Sequence, residues 1–355
     1  MSTTRHEGRG FVPFVSELLV SHVLGANIRL VDLPLLITKA SFEMKSFSVT
    51  PSEGLVITGL ASIPPPSPIL SSHRPLVVFL HGGSYASDYY DSDPERSIEP
   101  LSTTLGIPVI SLNRQGYKDS TLPVISEGQT SLREQSKNLH TSILPAIWED
   151  FGKPAGASSI VLAGHSIGGM IGVMVAALYA TSSSPRGYPL SGLCTTGITD
   201  RANPRWNGVE PPPLPQTGKH FNWPDEVRDA MMLNGQVSAD FATTHSKLNN
   251  PAPVDEVIEA TSRINEWRVC AKDVEVPVLG LAAEHDALWD TSKAAMDDFA
   301  RLFEKTTAEI GIVTNAPHCL EISYQARPAF LKVLGHAVQC ARAHGMEKES
   351  EKEMK

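Results

Sequence analysis

Residues 159–181 read SIVLAGHSIGGMIGVMVAALYAT. Four of the first five are apolar and predict a buried strand, whereas the run after Gly169 is apolar, rich in small residues and typical of a buried helix. Between the two lies the pentapeptide GHSIG at 164–168. A glycine two positions before and after the serine allows a sharp turn, because a side chain at either position would meet the backbone. The stretch therefore predicts a strand, a tight turn with Ser166 at its tip, and a helix.

A serine on such a turn is typical of a nucleophile elbow, which lifts the hydroxyl out of the sheet edge and aims a helix N-terminus at the reacting centre. Other glycine-rich turns also join a strand to a helix. A dinucleotide-binding turn needs G-x-G-x-x-G and a P-loop needs G-K-[S/T], and residues 164–169 contain neither. The pentapeptide alone is a weak pattern, but the strand and helix around it favour the elbow.

A serine nucleophile needs a histidine late in the chain and an acid between the two. Of twelve histidines, His318 is the one in a loop that follows a candidate last strand, within NAPHC at 315–319. Asp286 ends the sequence AEHD directly after another apolar strand, which is the loop where the orienting acid belongs. Asp200 follows the preceding candidate strand and is the alternative acid.

The third part of the site is HGGSY at 81–85, which directly follows the apolar strand at 76–80. A backbone N–H of this loop and the N–H of Ile167, the residue after the nucleophile, would together stabilise a tetrahedral oxyanion. Gly83 is the expected loop donor, since a glycine lets the backbone approach the substrate closely, and Ser84 is the second choice.

Aromatic and apolar residues next to these motifs predict a substrate pocket for a mid-sized apolar ester, lactone or thioester. Tyr89 and Tyr90 are candidates for its entrance. Four residues are expected to contact the substrate because they follow the oxyanion loop or the acid, namely Ser84, Tyr85, Leu288 and Trp289.

From about residue 45 to 345 the chain resembles the α/β-hydrolase superfamily, in which HGGSY, GHSIGG, AEHD and APH all stand at motif positions. The resemblance implies a Ser166-His318-Asp286 triad that works through an acyl-enzyme. The family's Asp-x-x-Gly-x-Gly-x-Ser turn reads NRQGYKDS at 113–120, without the aspartate and the second glycine. The HGGSY form is also similar to hydrolases found beside fungal secondary-metabolite genes.

Short apolar runs that alternate with helical patterns predict an α/β fold with a mostly parallel sheet flanked by helices. Strands are expected at 45–49, 55–61, 76–80, 107–111, 159–163, 193–198, 276–281 and 310–313, and helices at 129–151, 168–181, 291–304 and 327–343. The predicted parts are an N-terminal extension at 1–44, a hydrolase core at 45–200 and 271–345, a helical cap at 201–270 inserted after the sixth strand, and a disordered charged tail at 346–355. The cap follows from a long segment with three tryptophans, PPPLP and no convincing strand.

The 355 residues carry a formal net charge of −9, which argues against nucleic acid or an anionic membrane as a partner. Four cysteines without a C-x-x-C pair predict free thiols, and neither a metal nor a cofactor is expected. The apolar stretch at 11–25 is too short to span a bilayer and predicts a structural helix, with a poor signal peptide as the alternative. We therefore expect a cytoplasmic protein, with secretion open, and a homodimer formed through the first 40 residues.

A small molecule is the expected substrate, and several reactions stay open. The same triad supports acyl transfer, cyclisation or carbon–carbon bond hydrolysis, while a binding protein on this fold would normally have lost a triad residue. Serine at the elbow argues against epoxide hydrolases and haloalkane dehalogenases, which need an aspartate there.

Overall fold

The computed structural model describes residues 44–70, 73–183, 186–203, 220–262 and 265–353. Its main sheet contains the strands β1 (Lys45–Ser52), β2 (Leu55–Ser62), β3 (Pro75–Leu80), β4 (Val109–Leu112), β5 (Ser159–His165), β6 (Leu190–Thr196), β9 (Val278–His285) and β10 (Ala308–Pro317). A separate pair is formed by β7 (His220–Phe221) and β8 (Ala252–Pro253).

The order of strands in the main sheet is β1-β2-β4-β3-β5-β6-β9-β10. Here β2 is antiparallel to both β1 and β4, and every other neighbouring pair is parallel. The predicted mostly parallel sheet is thereby confirmed. Because the carboxyl ends of parallel strands meet at one edge, the loops that follow β3, β5, β9 and β10 lie close together.

The helices are α1 (Glu99–Leu105), α2 (Ser131–Asn138), α3 (Leu144–Ile147), α4 (Ile167–Thr181), α5 (Asp225–Met232), α6 (Ala239–Thr244), α7 (Val254–Ser262), α8 (Asn265–Ala271), α9 (Lys293–Arg301) and α10 (Ala326–Glu353). They cover both faces of the sheet. On β3, Val78 belongs to one core cluster with Ile171 of α4, whereas its neighbour Val77 belongs to another with Phe330 of α10. Burial on both faces explains the unbroken apolar runs in the strand sequences.

The helix expected at 129–151 is present but is not a uniform α-helix. Its two α-helical parts, α2 and α3, alternate with π-helical turns at Leu139–Ile143 and Trp148–Gly152. Pro145 lies inside the run and has no N–H to donate to the preceding turn, which disfavours a regular α-helical ladder there.

Two predictions concern the ends of the chain. The last helix continues to Glu353, so the prediction of a disordered tail from residue 346 is wrong for its described part. Alternating glutamates and lysines are good helix formers and extend the helix already present. The helix expected at 11–25, the extension at 1–44 apart from Met44, and dimerisation through the first 40 residues lie outside the described residues. No helix in the described ranges is long and apolar enough to cross a membrane.

The described part of the segment between β6 and β9 holds the helices α5, α6, α7 and α8, where helical patterns were expected, and also the short strand pair β7 and β8, which was not predicted from the sequence. Helix α7 packs against α2, and α8 packs against α4. The PPPLP sequence at 211–215 lies outside the described residues. Residues from this segment reach the carboxyl edge of the sheet beside Ser166.

Candidate active site

Ser166 is the single residue between the end of β5 and the start of α4. Its backbone adopts φ 51° and ψ −120°, a conformation that costs free energy in a residue with a side chain. The turn is held by its own hydrogen bonds. The Ser166 N–H donates to the Thr196 carbonyl of β6 at 2.8 Å, and the Ser166 carbonyl accepts the N–H of Gly169 at 2.8 Å and of Met170 at 3.1 Å. The strand, the helix and the neighbouring strand thus fix the position of the serine hydroxyl.

The backbone packed around the turn leaves no room for a side chain at either glycine of the pentapeptide. A Cβ on Gly164 would lie 2.2 Å from the Gly168 carbonyl oxygen, and a Cβ on Gly168 would lie 2.2 Å from the carbonyl oxygen of Leu80. Real Cβ atoms do not approach backbone this closely, so the reason given for these glycines from the sequence is confirmed. The second clash also shows that the start of α4 presses directly against the end of β3.

Gly168→Ala is therefore expected to lower the free energy of unfolding by about 3 kcal/mol, because backbone on both sides would have to move. Chemical denaturation checks this value. Gly335→Ala is the matched control, since a Cβ on that glycine of α10 meets nothing within 4 Å. We expect the control to gain about 0.5 kcal/mol from the better helix former. Equal stability of the two variants would contradict the elbow packing described here.

Three side chains from three different loops form a hydrogen-bonded series. Nε2 of His318 lies 3.1 Å from the Ser166 hydroxyl oxygen, and Nδ1 of His318 lies 2.9 Å from Oδ2 of Asp286. His318 follows β10, and Asp286 follows β9. The other Asp286 oxygen accepts the N–H of Leu288 at 2.8 Å and of Trp289 at 3.0 Å. With both carboxylate oxygens engaged, the proton of a neutral His318 belongs on Nδ1, which leaves Nε2 free to accept the serine proton.

The alternative acid is engaged elsewhere. Asp200 forms ion pairs with Arg268 at 2.5 Å and with Arg201 at 3.5 Å. Glu284, which neighbours Asp286 in sequence, accepts the N–H of Asn315 at 2.8 Å. Within the described ranges, Asp286 is the carboxylate that the structure brings to Nδ1 of His318.

The expected oxyanion donors also meet at this point. Gly83 and Ile167 line the same cavity as Ser166, and a Cβ on Gly83 would lie 2.9 Å from the Ile167 side chain. In the part of the chain that the structure describes, neither N–H donates to a backbone or side-chain acceptor. The N–H of Ser84, the second choice, already points at the Tyr117 hydroxyl at 3.3 Å. The geometry therefore favours Gly83 over Ser84.

A cavity of about 190 Å³ opens onto the Ser166 hydroxyl. Apart from that serine its described lining is apolar or glycine, and it consists of Gly83, Ser166, Ile167, Met170, Ala202, Trp223, Met231, Met232, Val257, Ala260, Leu288 and Trp289. Of the four residues expected to contact the substrate, Leu288 and Trp289 lie in this wall.

Ser84 and Tyr85 do not lie in the wall, and this corrects the expectation from the sequence. The left-handed backbone of Ser84, with φ 64°, turns the chain inward. Tyr85 is 1% exposed, and its hydroxyl is 2.9 Å from Nε2 of His245. Tyr89 and Tyr90 are equally buried and do not form an entrance. These tyrosines pack beneath the site instead of facing the cavity.

A buried polar layer lies behind His318. The His165 ring stacks on Tyr89 with ring centroids 5.0 Å apart and lies 4.9 Å from the ring of His318. Glu321 accepts hydrogen bonds from the Tyr89 hydroxyl at 2.7 Å and from the hydroxyl of Thr196. Burial, and secondly the nearby His318, lower the pKa of His165 well below its ordinary value, so this ring is neutral. Burial raises the pKa of the Glu321 carboxyl.

One group within the described residues has atoms that could ligate a metal, namely His165, His318 and Cys319, whose donor atoms lie within 4.8 Å of one another. Both ring nitrogens of His318 are already hydrogen-bonded to Asp286 and Ser166. Burial raises the pKa of the Cys319 thiol to about 12, which disfavours the thiolate that a metal needs. The arrangement suits a hydrogen-bonded triad better than a metal centre.

Most of the cavity wall was not predicted from the sequence. Trp223, Met231 and Met232 come from α5 and the loop before it, and Val257 and Ala260 come from α7. The helical spacing of apolar residues in these segments indicated that each has a buried face. It did not indicate what that face would cover.

A model described as the alpha/beta hydrolase family matches residues 77–329. No curated protein matches the sequence. The solved structure of a Paleococcus ferrophilus monoacylglycerol lipase is similar with a TM-score of 0.54 and 16% identity, over 83% of this chain and 99% of that one.

Two further solved structures are similar in the same way. E-2-(acetamidomethylene)succinate hydrolase has a TM-score of 0.54 and 16% identity, over 83% of this chain and 99% of that one. A thioesterase domain from the curacin biosynthetic pathway has a TM-score of 0.51 and 15% identity, over 81% of this chain and 98% of that one. At these identities the likeness shows a common fold.

Proposed function

Since the chain belongs to the alpha/beta hydrolase family, we propose that it is a serine hydrolase that cleaves an ester, lactone or thioester bond. The observation that carries this proposal is the hydrogen-bonded series of Ser166, His318 and Asp286 at the mouth of an apolar cavity. A nucleophile, a base and an orienting acid in hydrogen-bond reach are the parts that acyl transfer to serine requires.

In the proposed reaction, Nε2 of His318 takes the hydroxyl proton as Ser166 Oγ attacks the acyl carbonyl carbon. The carbonyl oxygen becomes an oxyanion and accepts the N–H groups of Gly83 and Ile167. When the intermediate collapses, His318 gives its proton to the departing alcohol or thiol, and an acyl-enzyme remains. Water then attacks the carbonyl carbon of the acyl-enzyme as His318 takes a proton from it, and His318 gives that proton to Ser166 Oγ as the bond between the serine and the acyl group breaks and the carboxylic acid leaves. Asp286 stays ionised throughout and stabilises the imidazolium.

The size of the cavity limits the substrate that we propose. An apolar cavity of 150 Å³ is large enough for a molecule such as benzene, and drug-sized ligands occupy about 300 Å³ or more. The cavity beside Ser166 measures about 190 Å³. We therefore assign it to an apolar group of about six to eight non-hydrogen atoms.

We also propose that residues 201–270 act as a cap. Trp223, Met231, Met232 and Val257 from this segment contribute side chains to the cavity wall above Ser166. These side chains exclude water from the reacting bond, and exclusion of water strengthens the hydrogen bonds to the oxyanion.

Ala260→Phe is expected to fill part of the cavity and to shift the preference toward short acyl groups. The value of kcat/KM for p-nitrophenyl hexanoate should fall about 10-fold to 100-fold, while that for p-nitrophenyl acetate should change little, since loss of room for each methylene costs about 10-fold. Ile258→Phe is the matched control, because Ile258 lies on the same helix but is 37% exposed. A hexanoate rate that survives in Ala260→Phe would contradict this assignment of the cavity.

Acyl transfer is the second candidate, and the apolar lining of the cavity favours it when an organic acceptor displaces water. Product analysis with 1-butanol present separates the two, because transfer gives butyl esters where hydrolysis gives the acid. Cyclisation and carbon–carbon bond hydrolysis would use the same triad, with no further structural feature in their favour.

A further inference from the structure

Arg114 is a buried arginine in the segment NRQGYKDS, where the sequence departs from the family's pattern. Its side chain follows β4 and has no exposed surface. Nε donates to the His81 carbonyl at 2.7 Å, and Nη2 donates to the Gly82 carbonyl at 3.2 Å. Arg114 thus holds the backbone of the loop that leads to Gly83.

The Gly82 carbonyl has a second donor. Nε2 of His81 accepts the backbone N–H of Arg114 at 3.1 Å, so the proton of a neutral His81 lies on Nδ1, which is 2.7 Å from the Gly82 oxygen. Burial, and secondly the Arg114 charge, lower the pKa of His81 well below its ordinary value and keep the ring neutral.

The Gly82 carbonyl and the Gly83 N–H belong to the same peptide unit. All described peptide bonds are trans, so this N–H points away from its carbonyl. Two donors on the carbonyl oxygen therefore fix the direction of the Gly83 N–H. They also polarise the peptide, which makes the N–H a stronger donor to an oxyanion.

The other side of the guanidinium is bound to α7. Nη1 and Nη2 of Arg114 donate to the two carboxylate oxygens of Glu256 at 2.5 Å and 2.8 Å. Glu256 also accepts the Tyr117 hydroxyl at 2.6 Å and the Gln135 side-chain amide at 2.7 Å. The side chains of Arg114 and Glu256 are both completely buried. The next residue of α7, Val257, lines the cavity.

Both members of this pair are charged. Burial by itself would lower the pKa of Arg114, but the adjacent Glu256 carboxylate more than offsets this and raises it. Burial would raise the pKa of Glu256, and Arg114 with its hydrogen bonds lowers it below the ordinary value. A buried ion pair adds little stability compared with apolar side chains of similar volume, so stability alone does not account for it.

We propose that Arg114 is a positioning residue that orients the Gly82–Gly83 peptide for the oxyanion, and that Glu256 couples this orientation to the seating of α7 in the cap segment. The inference rests on the proposed function, because it assigns a role in stabilising the oxyanion on Ser166. It also accounts for the arginine in a turn that lacks the family's aspartate.

The test is the double variant Arg114→Met with Glu256→Met, which removes both buried charges and keeps apolar side chains in their place. With p-nitrophenyl butyrate we expect kcat to fall about 10-fold to 100-fold, somewhat less than the loss of a whole oxyanion donor, while KM changes less than about threefold. Affinity for 1,1,1-trifluoro-2-octanone, which forms an oxyanion on the serine, should fall by the same factor as kcat. Affinity for 2-octanone, which only fills the cavity, should not.

Glu256→Gln keeps the shape of the side chain and most of its hydrogen bonds. It replaces the double variant in this test if the double variant does not fold. It should lower kcat and trifluoroketone affinity about threefold to tenfold, again without an effect on 2-octanone. Arg133→Gln is the matched control, since Arg133 pairs with Glu266 of the cap segment at 3.3 Å on the surface, away from the oxyanion loop.

Unchanged kcat in the folded variants would overturn the inference, and so would an equal loss of affinity for both ketones, which indicates a merely structural role. A wild-type protein that binds the two ketones equally well and does not hydrolyse the ester would overturn the proposed function itself. The two failures are therefore distinguishable.

Discussion

Ser166→Ala is expected to lower kcat for p-nitrophenyl butyrate by about 10⁵-fold to 10⁶-fold, about as much as the loss of a whole triad. The methyl group of alanine cannot form the acyl-enzyme, and what remains comes from the oxyanion donors and from binding. The left-handed backbone at this position tolerates alanine about as well as serine, so the melting temperature should change little. Steady-state kinetics with a thermal scan checks both expectations.

Ser182→Ala is the control, because Ser182 lies at the opposite end of α4 from Ser166. It should keep the wild-type rate. Ester turnover that persists in a carefully purified Ser166→Ala protein would mean that another residue is the nucleophile, and the mechanism above would then be wrong.

Asp286→Asn should lower kcat about 10⁴-fold while the fold stays intact. The carboxylate accepts the Nδ1 proton of His318 at 2.9 Å. An asparagine amide held in the same place by the N–H groups of Leu288 and Trp289 would present its NH₂ to Nδ1 and move the histidine proton to Nε2. His318 could then no longer accept the proton of Ser166. The kinetics should show the loss in kcat, with KM nearly unchanged.

Asp200→Asn distinguishes the two candidate acids. Its carboxylate pairs with Arg268 and not with His318, so we expect kcat within about threefold of the wild type. The reverse result, with a large effect from Asp200 and a small one from Asp286, would reassign the acid.

The elbow could be predicted from the sequence because its constraints are local. A side chain at Gly164 would clash with the backbone of the same turn, and one at Gly168 would clash with the adjacent strand. Both glycines lie within two residues of Ser166. The positions of His318 and Asp286 followed from chain order, since loops after neighbouring parallel strands meet at one edge of the sheet. These features depend on rules that hold for any sequence with this topology.

The pocket could not be predicted because it depends on directions that no local pattern specifies. The turn at Ser84 directs Tyr85 into the interior toward His245, which lies 160 positions later in the chain. Likewise, apolar spacing in α5 predicts a buried face but not that Met231 would face Ser166. Such contacts arise only when the segment between β6 and β9 folds over the sheet.

The Arg114–Glu256 pair joins residues 142 positions apart, and no motif specifies the residue type at either position. The sequence carried one sign of it, since the turn that contains Arg114 lacks the aspartate and second glycine of the family's pattern. The pairing of Arg114 with Glu256 could not be predicted, because it depends on side-chain contacts between distant segments of the chain.

The most direct test of the central claim is mass spectrometry of the folded wild-type protein after treatment with an alkyl fluorophosphonate, which reacts with activated serine hydroxyls. We predict one adduct per chain, on the peptide that contains Ser166, and none in the Ser166→Ala variant. A folded protein that stays unlabelled, or one labelled at a different residue, would contradict the assignment of Ser166 as an activated nucleophile.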